Sequence, residues 1–174
     1  MAMLKEDLPK ARILDLFAGT GAMGLEAVSR GARYVDFVEF GPTSLHSLKA
    51  NIAKLRIREK TKVFKKDALP FAAALEPWRY DIVFVDPPYG SKMLDRVIDT
   101  WLVNKYSHIL VAEHEVGHVL PGKPYDKRIF DATTAVTIYR HERPVPPAEP
   151  LAPSEPLAVA PVNARPAAPN DVTS

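Results

Sequence analysis

The 174-residue chain contains one tetrapeptide, Asp86-Pro87-Pro88-Tyr89, whose residue types suit chemistry on a nitrogen. Two consecutive prolines fix the backbone and leave carbonyls that cannot be drawn into a helix, while Asp86 adds a carboxylate and Tyr89 a flat ring. The exocyclic amine of a purine is a weak nucleophile because its lone pair is delocalised into the ring. Hydrogen bonds from its N–H groups to Asp86 and to the Pro87 carbonyl would pyramidalise the nitrogen and aim the lone pair at an electrophilic methyl. Tyr89 would stack on the base, which first has to leave its helix or be presented in a loop. No strong general base is required, since the proton leaves after the nitrogen has become cationic, and in-line positioning with fixed dipoles supplies the rate. The competing reading of the tetrapeptide is a proline-rich turn after a strand.

A second group begins at Asp15. Gly19-Thr20-Gly21-Ala22-Met23-Gly24 matches G-x-G-x-x-G, directly after an apolar strand signal and before a helix. Its glycines permit a tight turn and close approach of backbone to a ligand, and the helix start offers free N–H groups. Glu39 ends the next strand signal, 20 residues after Gly19. A carboxylate there could accept hydrogen bonds from both hydroxyls of a ribose. Together these indicate a nucleoside cofactor, a logic that nicotinamide enzymes share with enzymes of S-adenosylmethionine (AdoMet). Asp15 favours AdoMet, because a carboxylate at the end of the first strand is badly placed beside a pyrophosphate and well placed for a methionine ammonium. Its alternative role is to cap a turn. Asp67 could accept from an adenine amino group or serve as N-cap of a helix starting at Ala68, and the two roles are compatible. The candidate cofactor contacts are Asp15, Phe17, Ala18, Gly19, Thr20, Gly21, Glu39, Asp67 and Ala68. The candidate catalytic residues are Asp86, Pro87, Pro88 and Tyr89.

Alternating strands and helices have to hold these residues. Apolar runs at Ile13–Phe17, Val35–Phe40, Ile82–Val85 and Ile109–Ala112 read as buried parallel strands, with Lys62–Lys65 as a short additional one. Leu45, Leu48, Ile52 and Leu55 recur at helical spacing between Pro42 and Leu55, with Pro42 suited to a helix start. Leu94, Val97, Ile98 and Trp101 repeat the pattern, and residues 68–75 form a shorter helical stretch whose start is blurred by Pro70. Tyr125–Asp131 and Thr134–Tyr139 predict an antiparallel pair that closes the otherwise parallel sheet. The expected fold is a three-layer α/β domain with the chemistry in loops at the carboxyl ends of the strands.

Composition narrows the function classes. Nine of the 17 prolines fall after residue 140, so a folded domain over 1–140 and a Pro/Ala-rich, disordered tail over 141–174 are expected. Without Cys there is neither a disulfide scaffold nor a thiolate metal site. Lys5, Glu6, Asp7 and Lys10 stand where a signal peptide is apolar, and no apolar run approaches the ~18 residues of a membrane span, so a cytoplasmic protein without membrane contact is expected. The formal net charge of +2 hides a concentration, because residues 49–66 hold eight Lys and Arg against one acid, Glu59. Such a block fits an RNA contact, with Lys54, Arg56, Arg58 and Lys60 as candidates, or a solvated helix face and loop. His114-Glu115-Val116-Gly117-His118 formally matches H-E-x-x-H. Zinc chemistry needs both histidines on one face of a continuous helix; this segment follows an apolar strand, contains Gly117 and meets Pro121 and Pro124, so no metal site is expected.

Ile13 to Ala27, Ser29-Arg30-Gly31-Ala32, Val38-Glu39, Lys66-Asp67-Ala68, Phe84-Val85-Asp86-Pro87-Pro88-Tyr89 and Ala112-Glu113-His114 resemble the RsmD family of bacterial 16S ribosomal RNA guanine-N2 methyltransferases. The resemblance runs from about residue 11 to residue 140. It is most specific in the glycine loop and its following helix, whereas Asp-Pro-Pro-Tyr is shared with amino-methyltransferases of DNA adenine. It implies a Rossmann-like class I methyltransferase with a mostly parallel seven-stranded sheet, a C-terminal antiparallel hairpin and helices on both faces. It also implies transfer of methyl from AdoMet to N2 of one guanine in the assembling small ribosomal subunit; a monomer is expected. Position by position it supports Asp15, Gly19 and Gly21 at the methionine end, Glu39 at the ribose, Asp67 at the adenine and Asp86 to Tyr89 at the target base. The family carries a longer segment before the glycine loop, with a basic Gly/Arg hairpin and an Arg-Pro-Thr stretch leading into a helix over the cofactor. Here twelve residues precede Ile13, and the expectation is a domain lacking that segment. Two other readings are a DNA adenine-N6 methyltransferase, opposed by the small size and the lack of a DNA-recognition domain, and a catalytically impaired AdoMet-binding module.

Overall fold

Strand pairing follows the apolar runs. In the computed structural model, which describes residues 2–142, β1 (Arg12–Asp15) lies between β2 (Tyr34–Val38) and β4 (Tyr80–Val85), all parallel. β3 (Thr61–Phe64) flanks β2, and β5 (Ser107–Glu115) flanks β4 with Val85 opposite Ala112. Strands covered on both faces have no wet side, which is why Ile13 and Leu14, neighbours pointing opposite ways, are both fully buried. β7 (Thr134–Arg140) runs antiparallel to β5 and carries β6 (Asp126–Ile129) on its outer edge. The order is β3-β2-β1-β4-β5-β7-β6, seven strands of which, among the described residues, only β7 is reversed. This is the Rossmann-like class I architecture. The expected C-terminal pair forms, but its second strand inserts between the first and the parallel sheet. The reason lies in the side chains. β7 buries Ala135, Thr137, Ile138 and Tyr139, while all of β6 is exposed and its Asp126, Lys127 and Arg128 blunt an open sheet edge.

The helices divide between the two faces. α1 (Ala22–Ser29) and α2 (Pro42–Leu55) pack Ala27, Val28, Leu48 and Ile52 against Ile13, Phe37 and Phe84. α3 (Ala68–Ala73) and α4 (Met93–Asn104) pack Ala72, Leu94, Val97, Ile98 and Trp101 against Leu14, Val83 and Val85. Of the four leucine and isoleucine positions expected to bury on α2, Leu55 does not. It is 54% exposed, because the helix ends there and Arg56 turns left-handed at φ 55°. The expected tail lies outside the described residues from 143 onward. Among the described residues no helix is long and apolar enough to cross a membrane.

One contact fixes where the glycine loop sits. A Cβ on Gly24 of α1 would come within 2.3 Å of Phe37 Cε1 and 2.8 Å of Val35 Cγ1, so only glycine lets α1 lie this close to β2. Gly24→Ala is expected to destabilise the domain by about 1–3 kcal/mol through overpacking. Thermal unfolding measures this, and an unchanged midpoint would mean that α1 shifts freely.

Candidate active site

β1 ends in Asp15, and the chain then turns through Leu16–Gly21 into α1. Asp15 is buried at 4% exposure, and its Oδ2 accepts a hydrogen bond from the Gly24 N–H at 3.0 Å. Burial raises its pKa to about 7; the Gly24 bond pulls the other way, and the negative charges of Asp86 and Glu39 add to the rise. The turn needs Gly19 and Gly21 in left-handed conformations, at φ 54° and 88°, and it closes through Gly21 N–H to the Ala18 carbonyl at 2.7 Å. The capping role considered for Asp15 is therefore real, and its second oxygen takes no hydrogen bond from the described residues.

The loops after β2 and β3 meet this turn. Glu39 Oε2 accepts from Gly19 N–H at 2.7 Å and its Oε1 from Gly41 N–H at 2.6 Å, so one carboxylate ties the glycine loop to the start of α2. Both oxygens keep a free lone pair. Phe40 beside it is 67% exposed. Asp67 caps α3, its Oδ1 accepting from Leu69 N–H at 3.0 Å, which leaves its other oxygen open.

β4 delivers the Asp86 loop. Ser91 donates to the Pro88 carbonyl from both N–H and Oγ, whereas the Pro87 carbonyl accepts from none of the described residues. Tyr89 is 48% exposed, with its hydroxyl 3.4 Å from Glu113 Oε1 on β5. The protein walls around Asp86 raise its pKa to about 6, and the Glu113 charge adds to the effect.

The four loops after β1, β2, β3 and β4 open on one cavity of about 770 Å³ at the carboxyl ends of the strands. Its walls include every candidate cofactor and catalytic residue from the sequence except Gly21, which is buried beneath the turn. A family model described as "Conserved hypothetical protein 95" matches residues 1–139. The chain belongs to this RsmD-like family. The YlbH protein of Bacillus subtilis is 35% identical over 138 residues, 74% of this chain and 75% of that one. "Ribosomal RNA small subunit methyltransferase D" of Haemophilus influenzae is 30% identical over 138 residues, 75% and 70% of the two chains. Among solved structures, the yhhF protein of Escherichia coli superposes with a TM-score of 0.71 at 29% identity over 81% of each chain.

The structure also places two further sequence signals of the RsmD-like chain. The H-E-x-x-H segment is not a helix, since His114 and Glu115 belong to β5 and Gly117 turns at φ 96°. Both ring nitrogens of the buried His114 are engaged, Nδ1 with the Glu115 carbonyl at 2.9 Å and Nε2 with Thr137 Oγ1 at 2.8 Å, while His118 pairs with Asp95 at 2.8 Å. In the basic block, a 3-10 turn at Arg58–Lys60 leads straight into β3. Lys54, Arg56, Arg58 and Lys60 therefore lie at the amino end of that strand, opposite the cavity. Lys66, beyond its carboxyl end, is the member of the block that lines the cavity. Sequence reading gave no role to Phe40 and Glu113, although Phe40 is the last residue of one apolar run and Glu113 the first residue after another, the signal that could have found them.

Proposed function

We propose that this protein transfers a methyl group from AdoMet to the exocyclic N2 amine of a guanine in 16S ribosomal RNA, in the cytoplasm where small subunits assemble. One observation carries the reading: a single cavity holds Asp15, Glu39 and Asp67 on one stretch of wall and the Asp86–Tyr89 loop on another. The donor and acceptor set fits AdoMet. Asp15 offers a buried carboxylate for an ammonium, Gly19 bare backbone, Glu39 spare lone pairs for a ribose diol, and Asp67 with exposed Phe40 an acceptor and a flat face for adenine. When bound, AdoMet supplies an electrophilic methyl on a sulfonium sulfur. Asp86 and the open Pro87 carbonyl would accept the two N–H bonds of the target amine, holding its lone pair toward the cavity, while Tyr89 stacks on the ring. Asp86, ionised above pH 6, can then take the amine's surplus proton on its carboxylate oxygen. The name of the Haemophilus influenzae relative supports ribosomal RNA of the small subunit as the substrate.

Calorimetry with AdoMet, followed by transfer to small subunits lacking the modification and mass analysis of the nucleosides, tests this. N2-methylguanosine is the expected product. Binding without transfer to any base would identify an AdoMet-binding module, and N6-methyladenosine formed in DNA would identify the adenine enzyme instead.

RNA should approach across Lys65 and Lys66, both exposed at the cavity end of β3. Replacing the pair by alanine is expected to flatten the slope of log affinity against log salt by about 2. Anisotropy titrations over a salt series measure it; a larger change for Arg58→Ala with Lys60→Ala would move the RNA path to the other end of the strand.

A further inference from the structure

Glu113 stands at the target end of the cavity without a role in the steps above. Val85 is opposite Ala112, so Asp86, the first residue after β4, and Glu113, inside the longer β5, follow at the same level on adjacent strands. Both line the cavity with Tyr89, whose hydroxyl is 3.4 Å from Glu113 Oε1. Neither carboxylate forms an ion pair among the described residues, and Glu113 accepts no hydrogen bond from them other than that of Tyr89. Two unpaired carboxylates side by side repel one another. A site that keeps them adjacent is suited to a ligand presenting two adjacent donors.

We infer that Glu113 is a specificity-determining residue that accepts the N1–H of the target guanine while Asp86 accepts from its N2 amine, an inference that rests on the function proposed above. On the Watson–Crick edge of guanine, N1–H and the N2 amine are neighbouring donors. On adenine and cytosine the amine is flanked by a ring nitrogen that bears a lone pair and no hydrogen. Facing either, Glu113 would set lone pair against lone pair and leave that acceptor covered by the base without a donor. A flipped base is read along this edge, and a second carboxylate one strand over from the first reads the atom next to the amine. Tyr89, stacked on the ring and hydrogen-bonded to Glu113, ties the two contacts together.

The test compares the full-length protein with Glu113→Gln and the conservative Glu113→Asp. Glu113→Gln should lower kcat/KM on small subunits lacking the modification by roughly 10- to 100-fold, the fold-change of one hydrogen bond to a charged acceptor, with Glu113→Asp recovering part of it. AdoMet affinity by calorimetry should not move. The second readout is ligand-observed NMR binding of guanosine monophosphate and 2-aminopurine riboside monophosphate, both carrying an N2 amine but only the first an N1–H. The wild type should prefer the guanine nucleotide, and Glu113→Gln, whose amide can donate to a bare N1, should erase that preference. An equal loss for both nucleotides, a wild type that does not discriminate or binds neither, or full activity in Glu113→Gln overturns the assignment. A wild type that transfers methyl to no base would instead sink the proposed function, leaving these outcomes distinct.

Discussion

Asp86→Ala is expected to lower kcat for methyl transfer by roughly 10²–10³-fold, the cost of losing one fixed electrostatic contact to the reacting group. AdoMet binding should be nearly unchanged. The split follows from position. Asp86 begins the loop at the end of β4, while the candidate cofactor contacts come from the loops after β1, β2 and β3. No described residue donates a hydrogen bond to Asp86, so its removal leaves no partner stranded. A pH profile adds a second signature. The carboxylate must be ionised to accept from the amine, and its pKa is raised to about 6, so the wild-type rate should fall as pH drops through 6. Asp86→Asn, which keeps an accepting oxygen without the charge, should retain more activity than alanine and lose that limb of the profile. Equal losses of AdoMet binding and turnover would show that the loop belongs to the cofactor site.

How far the sequence revealed this site depended on whether the determining interaction was local. Asp15, Glu39, Asp67 and Asp86 were legible because each lies within two or three residues of the carboxyl end of a strand, and a parallel sheet brings all such ends to one edge. The second duties of these carboxylates were harder to read. Nothing in the spacing shows Glu39 bonded to Gly19 and Gly41, because that closure depends on how two separate loops meet in space. The strand Ile109–Ala112 was recognised, but β5 extends to Glu115 because His114 is buried on its pairing with β7. A polar residue interrupts an apolar signal even where tertiary hydrogen bonds bury it. The density of basic residues in 49–66 was plain, yet density is blind to direction. α2 carries the chain back to the amino end of β3 before the block is complete, which splits it between opposite ends of the sheet.

Asp15→Asn is expected to weaken AdoMet binding by roughly 10²–10³-fold, as breaking one side of a buried charge pair costs about 3–5 kcal/mol. The ligand-free variant should nevertheless be at least as stable as the wild type above pH 7. Asparagine keeps the size of the side chain and an oxygen for the Gly24 N–H, so the cap on α1 survives. What it removes is an ionisation that the fold opposes. The pKa of Asp15 is raised from the ordinary carboxylate value to about 7, so its contribution to stability is full below the unfolded pKa and is lost as pH climbs through 7. The ligand-free wild type should thus lose stability between about pH 4 and pH 7 through this group, and Asp15→Asn should not. A bound ammonium reverses the balance by giving the buried carboxylate a counter-charge. Thermal unfolding at pH 5 and pH 8, with and without AdoMet, separates the two roles: a variant that unfolds later alone but gains little from AdoMet marks a ligand carboxylate. A variant destabilised at pH 8 that still binds normally would reduce Asp15 to a helix cap.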